Sequence, residues 1–170
     1  EVNRKMLISK GASEYIEEVR RLLRIFGDRI ELPSDFALDV NGERVEVDAN
    51  SLPNDSQIKD LGKQTISEFA EILRNAKTLV INGPAGIYED DKFSKGTKEL
   101  LEAATDSKGL SIAGGGHTIE ALEKFGLSTR ISYVSTGGKA MLSLLAGEKL
   151  PVIEALKKAY LRAISRRNNK

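Results

Sequence analysis

The chain has 170 residues, 40% of them apolar and 30% charged, with a formal net charge of +1, enough for one domain with its own core. Near-balanced charge excludes a sequence-wide argument for nucleic acid, and the absence of apolar runs of spanning length and of a signal peptide argues against a membrane. Without cysteine there is no disulfide scaffold, thiolate zinc site or cysteine nucleophile, which agrees with a cytoplasmic setting.

The chain opens on Glu1 rather than a methionine and reads as a fragment or a processed product. Residues 3 to 10 are too short to assign, and Met6, Leu7 and Ile8 suit a helix or a strand. Ser13 is placed to cap a helix whose apolar positions are Tyr15, Ile16, Val19, Leu22, Leu23 and Phe26, with Gly27 ending it. Arg29 to Leu32 reads as a strand limited by Pro33. Phe36 to Val40 and Arg44 to Val47 read as a hairpin turning at Asn41-Gly42. Leu52 to Asp55, with Pro53 and Asn54, is a loop. Gly62 to Ala76 is helical, with Ile66, Phe69, Ala70 and Leu73 on one face.

Three units of one design follow. Thr78 to Ile81 is a strand that runs into Asn82-Gly-Pro-Ala-Gly86, with the acidic run Glu89-Asp90-Asp91 behind it. Phe93 to Ala104 is helical, with Ser94 as its cap. Leu110 to Ala113 is a strand that breaks on Gly114, Gly115 and Gly116 into a helix reaching Phe125. The stretch Ile131-Ser-Tyr-Val-Ser-Thr-Gly-Gly-Lys-Ala140 repeats strand, glycine pair and helix. Pro151 opens a last helix with the stripe Ile153, Leu156, Tyr160, Ile164 and a basic end at Arg162, Arg166, Arg167 and Lys170. The alternation predicts an α/β fold, a three-layer Rossmann-like domain with a mainly parallel sheet and a small antiparallel excursion.

A strand that breaks on glycines into a helix builds a phosphate cradle, because the backbone is bare and the first amides point outward. A tight turn without a ligand fits the same residues. Three such units suggest one edge of a parallel sheet, where open α/β sheets bind ligands. A Walker A loop fails, since Tyr133 and Ala140 stand where a glycine and a hydroxyl are needed, and Ile119 spoils a dinucleotide fingerprint. There is no hydrolase elbow, and His117 is the only histidine. Backbone anion binding remains, and it suits phosphoryl transfer, which asks the protein chiefly for positioned donors. Glu89 reads either as a carboxylate for ribose hydroxyls or as a solvated loop acid.

Asn82-Gly-Pro-Ala-Gly-Ile-Tyr-Glu89, Phe93-Ser-Lys-Gly-Thr97, Gly114-Gly-Gly-His-Thr118, Val134-Ser-Thr-Gly-Gly138 and Leu150-Pro-Val-Ile-Glu-Ala155 follow one another in that order. Each is weak alone, but the series closely resembles the C-terminal, nucleotide-binding domain of phosphoglycerate kinase, of the archaeal type, incomplete at its N-terminal side. The resemblance implies a glycolytic kinase that passes a phosphoryl group between 1,3-bisphosphoglycerate and ADP to give 3-phosphoglycerate and ATP, with Mg2+. It implies that Glu89 holds the ribose and that Asn82, Gly83 and Pro84 line the nucleotide cleft. Gly114, Gly115, Gly116, His117 and Thr118 would receive the phosphates. Ser135, Thr136, Gly137 and Gly138 would start a helix aimed at the transferring group near the interdomain hinge, with Gly116 and Gly137 as the catalytic backbone donors.

Two positions depart from the family pattern. His117 stands where most members carry an aspartate that helps hold the metal, so no metal ligand is assigned; a neutral imidazole could donate to a phosphate oxygen or hold a metal-bound water, and an exposed first-turn side chain fits equally. Lys139 follows the Gly137-Gly138 pair where a third glycine is usual, as a phosphate-side charge or an outward lysine. The family's N-terminal substrate domain and its glycine-alanine-lysine segment have no counterpart in residues 1–170, so 3-phosphoglycerate would be reached only through the missing domain. That predicts an open sheet edge, exposed apolar area, and no turnover by these residues alone, within an enzyme that is a monomer or dimer. A stand-alone nucleotide- or phosphate-binding α/β module without catalysis is the alternative. A scaffold role for the basic helix, through Lys157, Lys158, Arg162, Arg166 and Arg167, competes with simple dipole matching.

Overall fold

A computed structural model describes residues 2–9, 11–52 and 55–168. Lys10, Pro53, Asn54 and Lys170 lie outside the described residues, so the loop reading at 53–54 and the last basic position are not addressed.

Helix α1 is Val2–Ser9, which resolves the ambiguous first stretch. It docks on residues 56–58 through Asn3, whose side chain donates to Ser56 O and accepts from Ile58 N, each at 3.0 Å. A 3-10 turn, Ala12–Tyr15, leads into α2, Ile16–Phe26. Ser13 sits inside that turn and caps nothing, which corrects the expected start. Gly27 has φ −56°, so it does not reverse the helix but passes it into a second 3-10 turn, Gly27–Arg29. The expected strand at 29–32 is absent: the strand that follows it, Asp35–Val40, already carries a partner on each edge, and Leu32 is exposed.

The antiparallel part is larger than the sequence suggested. β1 (Asp35–Val40) pairs with β2 (Glu43–Asp48) on one side and β3 (Gln57–Leu61) on the other. Asn41 at φ 54° and Gly42 at φ 85° make the primed turn expected between β1 and β2. A register shift between Ala37 and Leu38 accompanies burial of both side chains. β3 was not foreseen, because its alternation is inverted: Asp60 is the buried member.

α3 is Lys63–Asn75, with Ile66 and Ala70 buried as predicted and Thr65 buried beside them. β4 (Thr78–Asn82), β5 (Leu110–Gly114) and β6 (Tyr133–Ser135) form the parallel sheet in that order. α4 (Lys95–Asp106) and α5 (Gly116–Lys124) follow β4 and β5. Their core joins Leu101, Ala121 and Leu122 to Ala113 of the sheet, with Tyr88 and Ile131 beside them. α6 (Gly138–Leu145) packs on the opposite face, where Val80, Ile112, Met141 and Leu144 surround an apolar cavity of about 340 Å³. α7 is Pro151–Asn168.

The α/β class and the parallel sheet stand as expected. Among the described residues β4 and β6 are both open edges, and Val80, Leu110 and Tyr133 are 43%, 51% and 62% exposed, so the predicted open edge and apolar area are present. The α7 stripe of Ile153, Leu156, Tyr160 and Ile164 is exposed rather than packed on this core.

Ser94 stands at the N-cap of α4, but its hydroxyl donates backward to Asp91 O instead of capping. The cap comes from elsewhere: Asp60 of β3 accepts from Gly96 N at 2.8 Å. α3 has the same arrangement, with Gly62 as a bare N-cap and Asp35 of β1 accepting from Gln64 N and Thr65 N. Both helices are thus capped by carboxylates from the antiparallel sheet, which ties the two sheets together.

Candidate functional site

The three glycine loops leave the carboxyl ends of β4, β5 and β6 side by side. Register places Asn82 opposite Gly114, and Gly114 opposite Ser135. Side chains then lock the loops. Asn82 Nδ2 donates to Gly114 O at 3.0 Å, and Gly83 N donates to Thr118 Oγ1 at 2.7 Å. Thr118 is buried, so its hydroxyl ties loop to helix instead of lying open to a ligand.

Geometry sorts the cradle glycines into two kinds. A side chain on Gly114 would meet Met141 Cε at 2.6 Å. Gly115 has φ 95°, a left-handed conformation that favours glycine. A side chain on Gly138 would meet Gly115 Cα and N, both at 2.6 Å, so the starts of α5 and α6 touch backbone to backbone. Gly115 and Gly138 are glycine because the fold requires it, whereas at Gly114 the flexible end of Met141 could swing aside. Gly116 has open space around it, and Gly137 meets only Ala140 Cβ at 3.7 Å. Both are exposed at the first turns of α5 and α6, where unpaired amides and the positive helix ends face outward. Packing leaves these two positions free, so a ligand can come close there.

His117 is also exposed, and its ring leans on Tyr88 and Glu120. Tyr88 hydroxyl donates to Glu120 Oε2 at 2.7 Å. Its single hydrogen is then spent, so at 3.3 Å from His117 Nδ1 it is placed to accept, with Nδ1 as the donor. If the ring is neutral, Nε2 is then the acceptor, which suits a metal-bound water more than a phosphate oxygen. Lys139 is exposed in the first turn of α6. Ser135 is half-buried at the end of β6, and Thr136 is exposed beyond it.

The loop from 83 to 89 is held from beneath by residues that the sequence reading did not single out for this role. Thr97 Oγ1 of α4, buried, accepts from Ala85 N and Gly86 N, each at 3.1 Å. Lys124 Nζ donates to Tyr88 O at 2.8 Å and pairs with Asp91 at 3.0 Å. Pro84 and Ile87 border a cleft of about 470 Å³ that runs to Phe36 and Ile58. Glu89 is exposed and sits near the Tyr88 hydroxyl. Hydrogen bonding to Glu120, burial, and the charges of Glu120 and Glu89 push the Tyr88 phenol up to about 12.

A phenol whose pKa is raised on folding contributes stability that is complete below the unfolded value and is lost as pH rises through the folded one. Of the four tyrosines, one is therefore expected to titrate near pH 12 in an ultraviolet titration. Tyr88→Phe should remove that step; a titration unchanged by the substitution would contradict the hydrogen bond to Glu120.

No group of three or more histidine and acidic side chains is gathered among the described residues. Among the described residues, the loops thus present helix-start amides and no gathered set of acidic ligands.

A family model described as phosphoglycerate kinase matches residues 2–148. The phosphoglycerate kinase of Thermoplasma volcanium is 45% identical over 159 residues, covering 92% of this chain and 39% of its own length. That of Methanococcus maripaludis is 45% identical over 159 residues, covering 93% and 38%. The crystal structure of phosphoglycerate kinase from Pyrococcus horikoshii OT3 superimposes with a TM-score of 0.84 at 42% identity, over 92% of this chain and 39% of that one. This chain thus spans about two fifths of the length of the curated relatives it matches.

Proposed function

The chain belongs to the phosphoglycerate kinase family, and from that premise we propose that it is the nucleotide-binding part of a glycolytic kinase. The reaction is transfer of a phosphoryl group from 1,3-bisphosphoglycerate to ADP. A terminal ADP oxygen attacks phosphorus, the bond to the acyl oxygen breaks, and ATP and 3-phosphoglycerate leave. The observation that supports this most is the juxtaposition of two exposed helix starts, at Gly116 and at Gly137-Gly138, held by backbone contact between Gly115 and Gly138. Two amide clusters at one place suit the spread charge of a transferring phosphoryl group.

In this reading the amides from Gly114 to Thr118 receive the nucleotide phosphates, and those from Ser135 to Gly138 face the group in flight. Asn82 acts indirectly, by fixing the Gly114 carbonyl. Pro84 borders the cleft that takes the nucleoside, and Glu89 accepts from the ribose hydroxyls. Magnesium would travel with the phosphates and spread their charge; the chain offers it the His117 Nε2 lone pair, through water. 3-Phosphoglycerate would be held by a part of the enzyme outside these 170 residues. No helix of the described residues is long and apolar enough to cross a membrane, and the reading places the enzyme in the cytoplasm.

Calorimetric titration tests the binding half. ADP and ATP are expected to bind at least about tenfold tighter than inorganic tripolyphosphate, because the cleft beside Pro84 adds to the phosphate contacts. Equal affinity for all three would instead favour a plain phosphate-binding module. The 170 residues alone should transfer no phosphoryl group, and turnover by them in an assay free of other kinases would refute that.

A further inference from the structure

Asp60 is a fully buried carboxylate that the phosphate-binding loops do not call on. Its Oδ2 accepts from Arg44 Nη1 at 2.7 Å and Gly96 N at 2.8 Å, and its Oδ1 accepts from Leu61 N at 2.9 Å. Arg44 comes from β2 and also donates to Leu61 O at 2.8 Å and to Lys92 O at 3.2 Å. The Asp60 carboxyl occupies the space that a side chain on Gly86 or on Gly96 would need. Gly86 lies in the loop after β4, and Gly96 in the first turn of α4. One charged group therefore sits where the loop, the helix and the antiparallel sheet meet. Thr97, next to Gly96, is the residue that holds Ala85 N and Gly86 N, and Ile87 N donates to Lys59 O beside Asp60 at 2.8 Å.

We propose that Asp60, charged and held by Arg44, is a positioning residue for the nucleoside side of the site. It fixes the start of α4 and the 84–87 segment as one unit. The phosphate side does not depend on it: Asn82 binds Gly114 and Gly83 binds Thr118 without contact to Asp60. A glycine at 86 is thus explained by the Asp60 carboxyl and the Lys59 carbonyl beneath it rather than by approach of a phosphate. This inference rests on the nucleotide reading for its ligand, but its structural half stands separately.

The test uses the full-length protein as its cell makes it, with Asp60→Asn and Gly86→Ala. Asp60→Asn removes the charge that Arg44 pairs with, and Gly86→Ala pushes a methyl into the carboxyl from the loop side. Each is expected to weaken ADP binding about tenfold while tripolyphosphate affinity stays within about twofold. In an Asp60→Ala background, Gly86→Ala should cost clearly less further ADP affinity than it does alone, because only the Lys59 carbonyl, 2.8 Å from the added methyl, then stands in its way. Amide exchange at Ala85, Gly86 and Ile87 should quicken about tenfold in Asp60→Asn, with β4 and β5 amides unchanged. Equal loss for ADP and tripolyphosphate, or unchanged exchange at 85–87, would overturn the proposal. Native protein that bound neither ligand would sink the kinase reading, and the exchange data would still decide whether Asp60 places the loop.

Discussion

Gly138→Ala is expected to weaken ADP binding and to slow phosphoryl transfer by the full-length enzyme about a hundredfold, because an ångström of misplacement between two halves of an anion site costs about that much in rate. The added methyl would lie 2.6 Å from both Gly115 Cα and Gly115 N. Those are backbone atoms, so no rotamer change relieves the overlap, and the start of α6 must move away from the start of α5. The protein should also lose about 1–3 kcal/mol of stability, the usual cost of overpacking. Gly116→Ala is the matched control for packing. Its methyl would meet nothing within 4 Å, so melting temperature should stay close to the parent. Any loss of ADP binding there reports close approach of the ligand to the backbone. Calorimetric titration and thermal melts of both variants decide the matter. Gly138→Ala with near-parental affinity would mean that the contact between α5 and α6 does not shape the site.

The glycine pattern shows what the sequence made readable and what it hid. Strand, glycines and helix are local signals, so Leu110 to Thr118 and the Asn41-Gly42 turn could be read directly. The reason for each glycine is not local. Gly114 faces Met141, Gly138 yields to Gly115, and Gly86 yields to Asp60 and to the Lys59 carbonyl, with Met141, Gly115 and Asp60 lying 27, 23 and 26 positions away as counted in the sequence. The same blindness explains the helix starts. Ser13 and Ser94 have the right chemistry for caps, yet neither caps a helix by its side chain, while Asp35 and Asp60 reach α3 and α4 from another sheet. β3 escaped notice because Asp60, its buried residue, reads as a polar surface position. Tyr88 was visible as part of a motif, but its hydroxyl between Glu120 and His117 needs the fold to bring α5 alongside.

Asp35→Ala should cost about 2–4 kcal/mol, the scale for breaking charge-assisted bonds and leaving a buried donor unpaired. Asp35 Oδ1 accepts from Thr65 N at 2.8 Å and from Thr65 Oγ1 at 2.6 Å, and Oδ2 accepts from Gln64 N at 3.0 Å. Thr65 is wholly buried, so water cannot replace the carboxylate there. Gly62 cannot take over as a cap, having no side chain, and its space is filled by the Asp35 carboxyl. Burial alone would raise the Asp35 pKa. The Thr65 hydroxyl, the two amides and the Arg44 charge outweigh it and hold the carboxyl below its ordinary value of 3.8. A depressed carboxyl contributes stability that is present above the unfolded pKa and is lost as pH falls through the folded one. The stability gap between parent and Asp35→Asn should therefore be full at neutral pH and shrink once the pH falls below 3.8. Urea unfolding of both proteins at neutral pH and in acid measures that gap, and a gap of constant size would rule out the ionised cap. The consequence reaches the site, since α3 packs along α4, and α4 carries the Thr97 that holds the nucleotide loop. Acid should therefore weaken ADP binding in the parent before it unfolds the parallel sheet, whereas Asp35→Asn should already bind more weakly at neutral pH.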